Sequence, residues 1–157
     1  MIARQEIHRI ETRLDSVLGR AKTVDALDTE SRADYAKYLC VLVSGLIEKA
    51  AYLSLLGYAQ RKSAPKIQEY VKWHLARFQN AKAARLVELF RHFDSGWAVA
   101  LDNCLVDENR DAIDSVVANK NRIAHGEDVG ALSLLRIEEY YRRVKNVINH
   151  MMTICGC

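Results

Sequence analysis

A cluster of amide, cationic and imidazole side chains occupies one short stretch, Val117-Ala118-Asn119-Lys120-Asn121-Arg122-Ile123-Ala124-His125-Gly126-Glu127. Asn121 and His125 are four residues apart, so they share a face if the stretch is helical as far as the histidine. Lys120 precedes His125 by five residues, an offset of about 140° at 3.6 residues per turn. Lys120 therefore reaches the same site only if the helix unwinds at Gly126 or if a partner chain contributes its own copy.

These residue types suit the cleavage of RNA without a metal ion. A neutral imidazole can take the proton from a ribose 2′-OH, because histidine titrates close to working pH. A nearby cation holds the scissile phosphate and offsets the charge that builds on its oxygens, while an amide orients either group. In the alternative interpretation, His125 only helps to end a helix, favourably placed against the negative end of the helix dipole.

The net charge of +3 is spread unevenly along the chain. From Tyr58 to Arg91 there are eight basic and two acidic residues, so this segment carries +6 and the remainder −3. Tyr70 and Trp73 lie among these charges, as expected for a surface that follows phosphates and stacks bases. The alternative is a pair of amphipathic helices with solvated basic faces, whose aromatic rings belong to the core. The candidate RNA-binding residues are Arg61, Lys62, Lys66, Lys72, Arg77 and Arg85.

The elements that must position these residues are predicted to be helices. Of the 157 residues, 50% are hydrophobic and 27% charged, and there are 7 glycines and 1 proline. Such a chain is typical of a soluble globular domain, and its turn residues are too few for a β-sandwich or barrel. Apolar residues recur at three- and four-residue steps, and no segment alternates with a period of two. We expect one all-α domain over residues 1–157, a helical bundle of four main helices plus shorter helices.

Glycine, proline and capping residues predict the helix ends. Gly57 is expected to end the second long helix, and Pro65 to open the third. The remaining signals are a break at Asp94-Ser95-Gly96 that starts a short helix, a loop from Gly126 to Gly130, N-caps at Asn80 and Asp107, and a last helix that follows Ser133.

We expect a cytoplasmic protein with no membrane partner and no cofactor. No run approaches the roughly 20 apolar residues that span a bilayer, and the charged N-terminal residues are unlike a signal peptide. Cys40 lies in an apolar run and is predicted to be a buried, reduced thiol. Cys155 and Cys157 are a weak candidate metal pair. The histidines outside the motif show no metal-ligand spacing, and no glycine-rich phosphate loop is present.

Several stretches resemble the RiboL-PSP-HEPN branch of the HEPN superfamily. The ending Ile123-Ala124-His125-Gly126 is similar to the superfamily motif, in which an arginine and a polar residue precede a histidine by a few residues. The resemblance extends from the second helix to the end of the chain. Its other matching stretches are Tyr38 to Glu48, Arg77-Phe78-Gln79-Asn80, Phe93-Asp94-Ser95-Gly96-Trp97, and Asp114 to Asn119.

The resemblance implies an all-helical domain that forms a homodimer and brings two copies of the motif into one cleft. Many members are metal-independent endoribonucleases of toxin, phage-defence or RNA-processing systems, so a cognate antitoxin or system partner is a further expectation. By resemblance, His125 matches the catalytic histidine, Asn121 the polar position, and Glu48 the acid of the second-helix signature. Lys120 stands where the family has arginine, and Arg122 lies close by as a possible substitute.

The lysine leaves the activity open at this stage. Lysine keeps the positive charge but lacks the planar fork with which arginine grips a phosphate through two hydrogen bonds. One hypothesis is a homodimeric endoribonuclease that uses His125, Lys120 and Asn121. A second is a catalytically weak or inactive module that binds RNA, a nucleotide or a partner protein, as other members of the family do. A third is a purely structural helical dimer.

Overall fold

The computed structural model describes residues 2–157, and in this range it contains seven α-helices and no strand. The prediction of an all-α bundle with four main helices and shorter additions is therefore confirmed. In chain order the helices are α1 (Ile2–Lys22), α2 (Thr29–Lys62), α3 (Pro65–Leu75), α4 (Ala83–Arg91), α5 (Ser95–Cys104), α6 (Asp107–Ala124) and α7 (Leu134–Ile154).

The central helix is α2, which packs against α1, α3, α6 and α7. Helix α1 runs antiparallel to α7, because Lys22 pairs with Glu138 at one end and Arg4 donates to the Cys157 carbonyl (2.9 Å) at the other. Helix α6 is also antiparallel to α7, and Cys40 of α2 contacts Val116 of α6. Of the three short helices, α3 packs on α2, α4 packs on α5 and α6, and α5 also packs on α7.

By length and composition, α2 is the one helix within residues 2–157 that is apolar enough to cross a membrane. We did not expect such a run from the sequence. In the structure, 61% of its most apolar window is buried against neighbouring helices. This burial is what the core helix of a bundle requires.

The end of α2 differs from the prediction, because the helix continues through Gly57 to Lys62. Gly57 lies next to residues near both ends of the chain. A Cβ atom at this position would lie 3.6 Å from both the Ala3 Cβ and the Cys157 Sγ atoms. The extra turn buries Ala59, and Pro65 then prevents the helix from continuing.

Two predicted N-caps are wrong. Asn80 lies before the start of α4, with a φ of 55°, and Lys82 is the N-cap residue. Asp107 is the first residue of α6, and the N-cap residue is Val106, which has no capping side chain. At the start of α4 a distant partner replaces the local cap, because Asp114 of α6 accepts a hydrogen bond from the Ala83 N–H group at 2.8 Å. At the start of α6 no side chain caps the helix, and Arg110 donates to the Leu105 carbonyl at the end of α5 at 3.0 Å.

The other helix signals are confirmed. Pro65 opens α3. The side chains of Asp94 and Ser133 accept hydrogen bonds from the first turns of α5 and α7. The segment from Gly126 to Gly130 lies in the connection between α6 and α7. These signals depend only on residues within one turn of the helix end, which is why the sequence was sufficient.

Cys40 is a buried thiol, as predicted, and its Sγ donates to the Val116 carbonyl at 3.4 Å. Burial raises the pKa of Cys40 to about 11 and that of Cys155 to about 12. Both thiols are therefore protonated at neutral pH, whereas metal ions bind the thiolate. Among residues 2–157, no three His, Cys, Asp or Glu side chains form a group that could hold a metal ion.

Replacing Gly57 by alanine is expected to stabilise the protein. Gly57 is inside a helix, has room for a Cβ atom, and carries the entropic cost of glycine, so Gly57→Ala should raise the free energy of unfolding by about 0.5–1 kcal/mol. The contrasting variant is Gly126→Ala, which should lose about 1 kcal/mol because the φ of Gly126 is left-handed. Urea unfolding followed by circular dichroism measures both. A destabilised Gly57→Ala would show that the helix needs glycine there.

Candidate functional site

The end of α6 places His125 at the surface. The main-chain N–H group of His125 donates to the Asn121 carbonyl at 3.1 Å, so helical hydrogen bonding persists as far as the histidine. Gly126 then adopts a φ of 71°, and the N–H groups of Gly126 and Glu127 return to the Ile123 and Arg122 carbonyls. This is the glycine-terminated helix end of a Schellman motif. Asn121 and His125 therefore lie on one face, with the histidine ring exposed.

Lys120 starts from the other side of the helix and is half-buried. It follows the buried residues Ile113 and Val116 at helical spacing, so its aliphatic stem leaves from the face that packs on the core. Its Nζ atom lies 3.4 Å from the Asn121 Oδ1 atom. Within residues 2–157 Lys120 forms no ion pair, so its charge is balanced by no carboxylate in the described chain. The structure thus brings Lys120 and Asn121 together beside the exposed His125.

Arg122 is turned away from this group. It is two residues after Lys120, which places the two side chains about 160° apart around the helix. Its guanidinium pairs with the Glu127 carboxylate at 3.4 Å and also binds the main-chain carbonyl of Asp128. There it lines a polar cavity of about 550 Å³ between α6 and the start of α7. In this structure Arg122 therefore does not substitute for an arginine at position 120.

Two carboxylates, one on α2 and one on α6, bind the connection between α3 and α4. The half-buried Glu48 of α2 accepts a hydrogen bond from the Asn80 N–H group at 2.9 Å. Asp114 of α6 accepts one from the Ala83 N–H group at 2.8 Å. Within residues 2–157 the Glu48 side chain forms no hydrogen bond or ion pair with the motif, and its bond to Asn80 positions the connection. Asp114 was missed in the sequence, although it lies on the same helical face as Asn121 and His125.

The predicted RNA-binding residues do not form one surface with the motif. Arg61 donates to the Cys155 carbonyl at 2.6 Å and so holds the C-terminal segment. Cys40 is at the level of Val116, and 21 residues of helix separate Cys40 from Arg61, about 30 Å along α2. Lys62 is exposed at that far end, Lys66 is exposed at the start of α3, and Lys72 is exposed further along α3.

Arg77 and Arg85 lie closer to the motif, on either side of the connection that Glu48 and Asp114 hold. The Arg77 guanidinium stacks 3.4 Å from the centre of the Trp73 ring, and that of Arg85 lies 5.4 Å from the centre of the Phe78 ring. Trp73 is 53% exposed and Tyr70 is 64% exposed. The alternative in which these rings belong to the core is therefore wrong.

A bundle of this architecture, with a helix that ends in an amide and an exposed histidine before glycine, has the fold and motif of a HEPN-type domain. The chain belongs to the RiboL-PSP-HEPN family, whose family model matches residues 6–155. Comparison with curated proteins finds no match, and neither does comparison with solved structures.

Removing the Glu48 carboxylate is expected to destabilise the fold. Glu48→Ala leaves the Asn80 N–H group without its partner and should lower the free energy of unfolding by about 1–3 kcal/mol. Glu48→Gln keeps an acceptor oxygen and should lose less. The matched control is Glu88→Ala, which removes a carboxylate from an exposed pair with Arg91 and should change stability by less than about 1 kcal/mol. Urea unfolding compares the three variants. Unchanged stability in Glu48→Ala, together with altered RNA cleavage, would assign Glu48 to the motif instead.

Proposed function

We propose that this protein is a metal-independent endoribonuclease of the HEPN type. The observation that carries the proposal is the grouping of Lys120 and Asn121, 3.4 Å apart, at the helix end that exposes His125. The cation has no carboxylate partner in the described chain, and the histidine ring makes no hydrogen bond there. Both are therefore available to a substrate. We infer a role in a toxin, phage-defence or RNA-processing system from membership of the family.

In the proposed reaction, the ribose 2′-oxygen attacks the adjacent phosphorus. The 2′-OH proton passes to a base, the new O2′–P bond forms, and the P–O5′ bond breaks as an acid protonates the leaving oxygen. His125 serves as the base or the acid, and in a homodimer His125 of the partner subunit supplies the other function. Lys120 neutralises the charge on the phosphate oxygens, and Asn121 holds the lysine and the phosphate in place.

The proposal predicts cleavage of total RNA in the presence of EDTA, with 2′,3′-cyclic phosphate ends. His125→Ala should lower the rate by about 10²–10⁴-fold because the proton-transfer group is lost, whereas His8→Ala, which changes an exposed histidine on α1, should not. Lys120→Arg should raise the rate, because a guanidinium donates two parallel hydrogen bonds to phosphate. Gel analysis and mass spectrometry of the ends measure these effects. If the purified protein cuts no RNA and Lys120→Arg cuts none either, the enzyme proposal is wrong.

The second candidate is an inactive module that binds RNA. The presence of Lys120 favours this candidate. Lysine at the position where the family has arginine cannot donate two parallel hydrogen bonds to a phosphate. Binding that weakens with salt but proceeds without cleavage would support this candidate, since phosphate contacts release counterions. Failure to bind RNA even at low salt would instead favour a purely structural helical dimer.

We further propose that the homodimer forms through the exposed face of α2 beside the motif. Glu48 and Asp114 bond the same α3–α4 connection, so they mark one side of the α2–α6 pair. Val41 precedes Glu48 by seven residues, and Asn121 follows Asp114 by seven residues. Because α2 and α6 run in opposite directions, Val41 and Asn121 are displaced toward the same end of the pair and lie on that same side. There Val41 is 39% exposed and Tyr38 is 53% exposed. A second copy seated on this face would bring its own motif close to the first.

The dimer proposal predicts a particle of twice the 17.9 kDa chain mass in light scattering. Val41→Glu should convert it to a monomer and abolish cleavage, because the charge is buried when two copies meet. Val99→Glu, at another exposed valine on α5, should remain dimeric. A wild-type monomer, or a Val41→Glu dimer, would contradict this interface.

A further inference from the structure

A groove between α3 and α4 lies outside the motif site. It consists of two adjoining cavities of about 480 Å³ and 400 Å³, which share His74 and His92 as lining residues. The larger cavity is walled by Tyr70 of α3 and Phe93 after α4, and the smaller extends past the end of α3. We call these two cavities the α3–α4 groove. Its volume accommodates a nucleotide-sized group in each half.

Tyr70 and His74 line the α3–α4 groove, and together with the neighbouring Trp73 of α3 they form a row of exposed, nearly parallel rings. The Tyr70 ring lies 6.4 Å from the Trp73 ring with an interplanar angle of 27°, and 6.4 Å from the His74 ring with an angle of 15°. Tyr70 and Trp73 expose more than half of their surface, 64% and 53%. The Arg77 guanidinium lies on one face of Trp73, 3.4 Å from the ring centre, and the exposed surface of both rings is open to solvent. Planar rings presented in this way are the surfaces on which nucleic-acid bases stack.

The charge of the α3–α4 groove is positive along its length. Lys62 lines the larger cavity, while Arg77 and Arg85 line the smaller. Within the described chain, Glu88 is the one carboxylate that lines either cavity. It is already paired with Arg91 at 3.1 Å and contacts His92 at 3.5 Å. The remaining cations complement the negative charge of a phosphate backbone. An apolar peptide segment carries no such charge.

We propose that the α3–α4 groove binds single-stranded RNA, with bases stacked on Tyr70 and Trp73 and phosphates held by Lys62, Arg77 and Arg85. The proposal rests on the proposed function only in taking RNA as the ligand, and it does not require cleavage. Because every base has a stacking face, binding at this groove has little sequence preference and depends strongly on salt. Its Lys62 end lies about 30 Å along α2 from the level of Val116. The Lys62 end of the groove is therefore distant from the motif, whereas Arg77 and Arg85 at its other end lie closer to it.

The test uses His125→Ala as the parent protein, so that the RNA probe stays intact. A short fluorescein-labelled single-stranded RNA is titrated at low salt and followed by anisotropy. Adding Tyr70→Ala or Trp73→Ala should weaken binding by about tenfold each, and Arg77→Ala should reduce the dependence of affinity on salt. The matched controls, Val99→Ala for an exposed apolar side chain and Arg13→Ala for an exposed cation on α1, should bind as the parent does.

A second readout uses the two tryptophans. Trp97 is half-buried and packs on Tyr58 at 4.7 Å, whereas Trp73 is exposed. Single-stranded RNA should therefore quench tryptophan emission in the parent but not in the Trp73→Ala variant. A duplex of the same sequence should quench less, because its bases are already stacked. Unchanged circular dichroism and thermal unfolding in each variant establish that the fold is retained.

The outcomes separate this proposal from the proposed cleavage. If the groove variants fold and bind RNA as tightly as the parent, the proposal that the α3–α4 groove binds RNA is wrong, whether or not the wild-type protein cuts RNA. Loss of binding in the groove variants would support it even if the wild type cuts nothing, in which case only the cleavage proposal fails. If the parent binds no single-stranded RNA at low salt, the groove proposal is wrong and a different partner must cover these rings.

Discussion

The burial of α2 is the constraint on which the other elements depend. Its apolar side chains cover a broad arc around the helix, and no single neighbouring helix is wide enough to remove that arc from water. Four helices pack on it instead, each contributing apolar burial at about 25 cal/mol per Å². This packing sets the rotation of α2 about its own axis. The stripe through Tyr38, Val41 and Glu48 is thereby directed away from the core, toward the side that α6 shares.

Glu48 and Asp114 fix the position of α6, which carries the motif, relative to α2 and the α3–α4 connection. Each carboxylate binds a main-chain N–H group of the same α3–α4 connection, so α2, α6 and the start of α4 are held in one register. This arrangement also explains the failed cap predictions. A residue 31 positions away caps the start of α4, and a local search for capping residues has no access to such a partner. Local caps such as Asp94 and Ser133 were predictable because their partners lie three residues away.

The basic residues illustrate the difference between charge in the sequence and charge at a site. Arg61 belongs to the +6 segment but is engaged with the Cys155 carbonyl, and Arg122 neighbours the motif but is engaged with Glu127 and Asp128. Lys120 donates to the neighbouring Asn121 amide at 3.4 Å and pairs with no carboxylate in the described chain. Lys120 at the end of α6 and the cations Lys62, Arg77 and Arg85 of the α3–α4 groove are among those that form no ion pair in residues 2–157.

The sequence by itself determined the helical class, the helix boundaries at Pro65, Asp94 and Gly126, and the buried Cys40, because these follow from the spacing of apolar residues and from signals within one turn. It also carried the family resemblance that the family model confirms. Only the tertiary structure decided that α2 passes through Gly57, that Glu48 binds Asn80, and that Tyr70 and Trp73 remain exposed. These outcomes depend on contacts between residues tens of positions apart, whose free energies are settled by how helices pack rather than by local propensity.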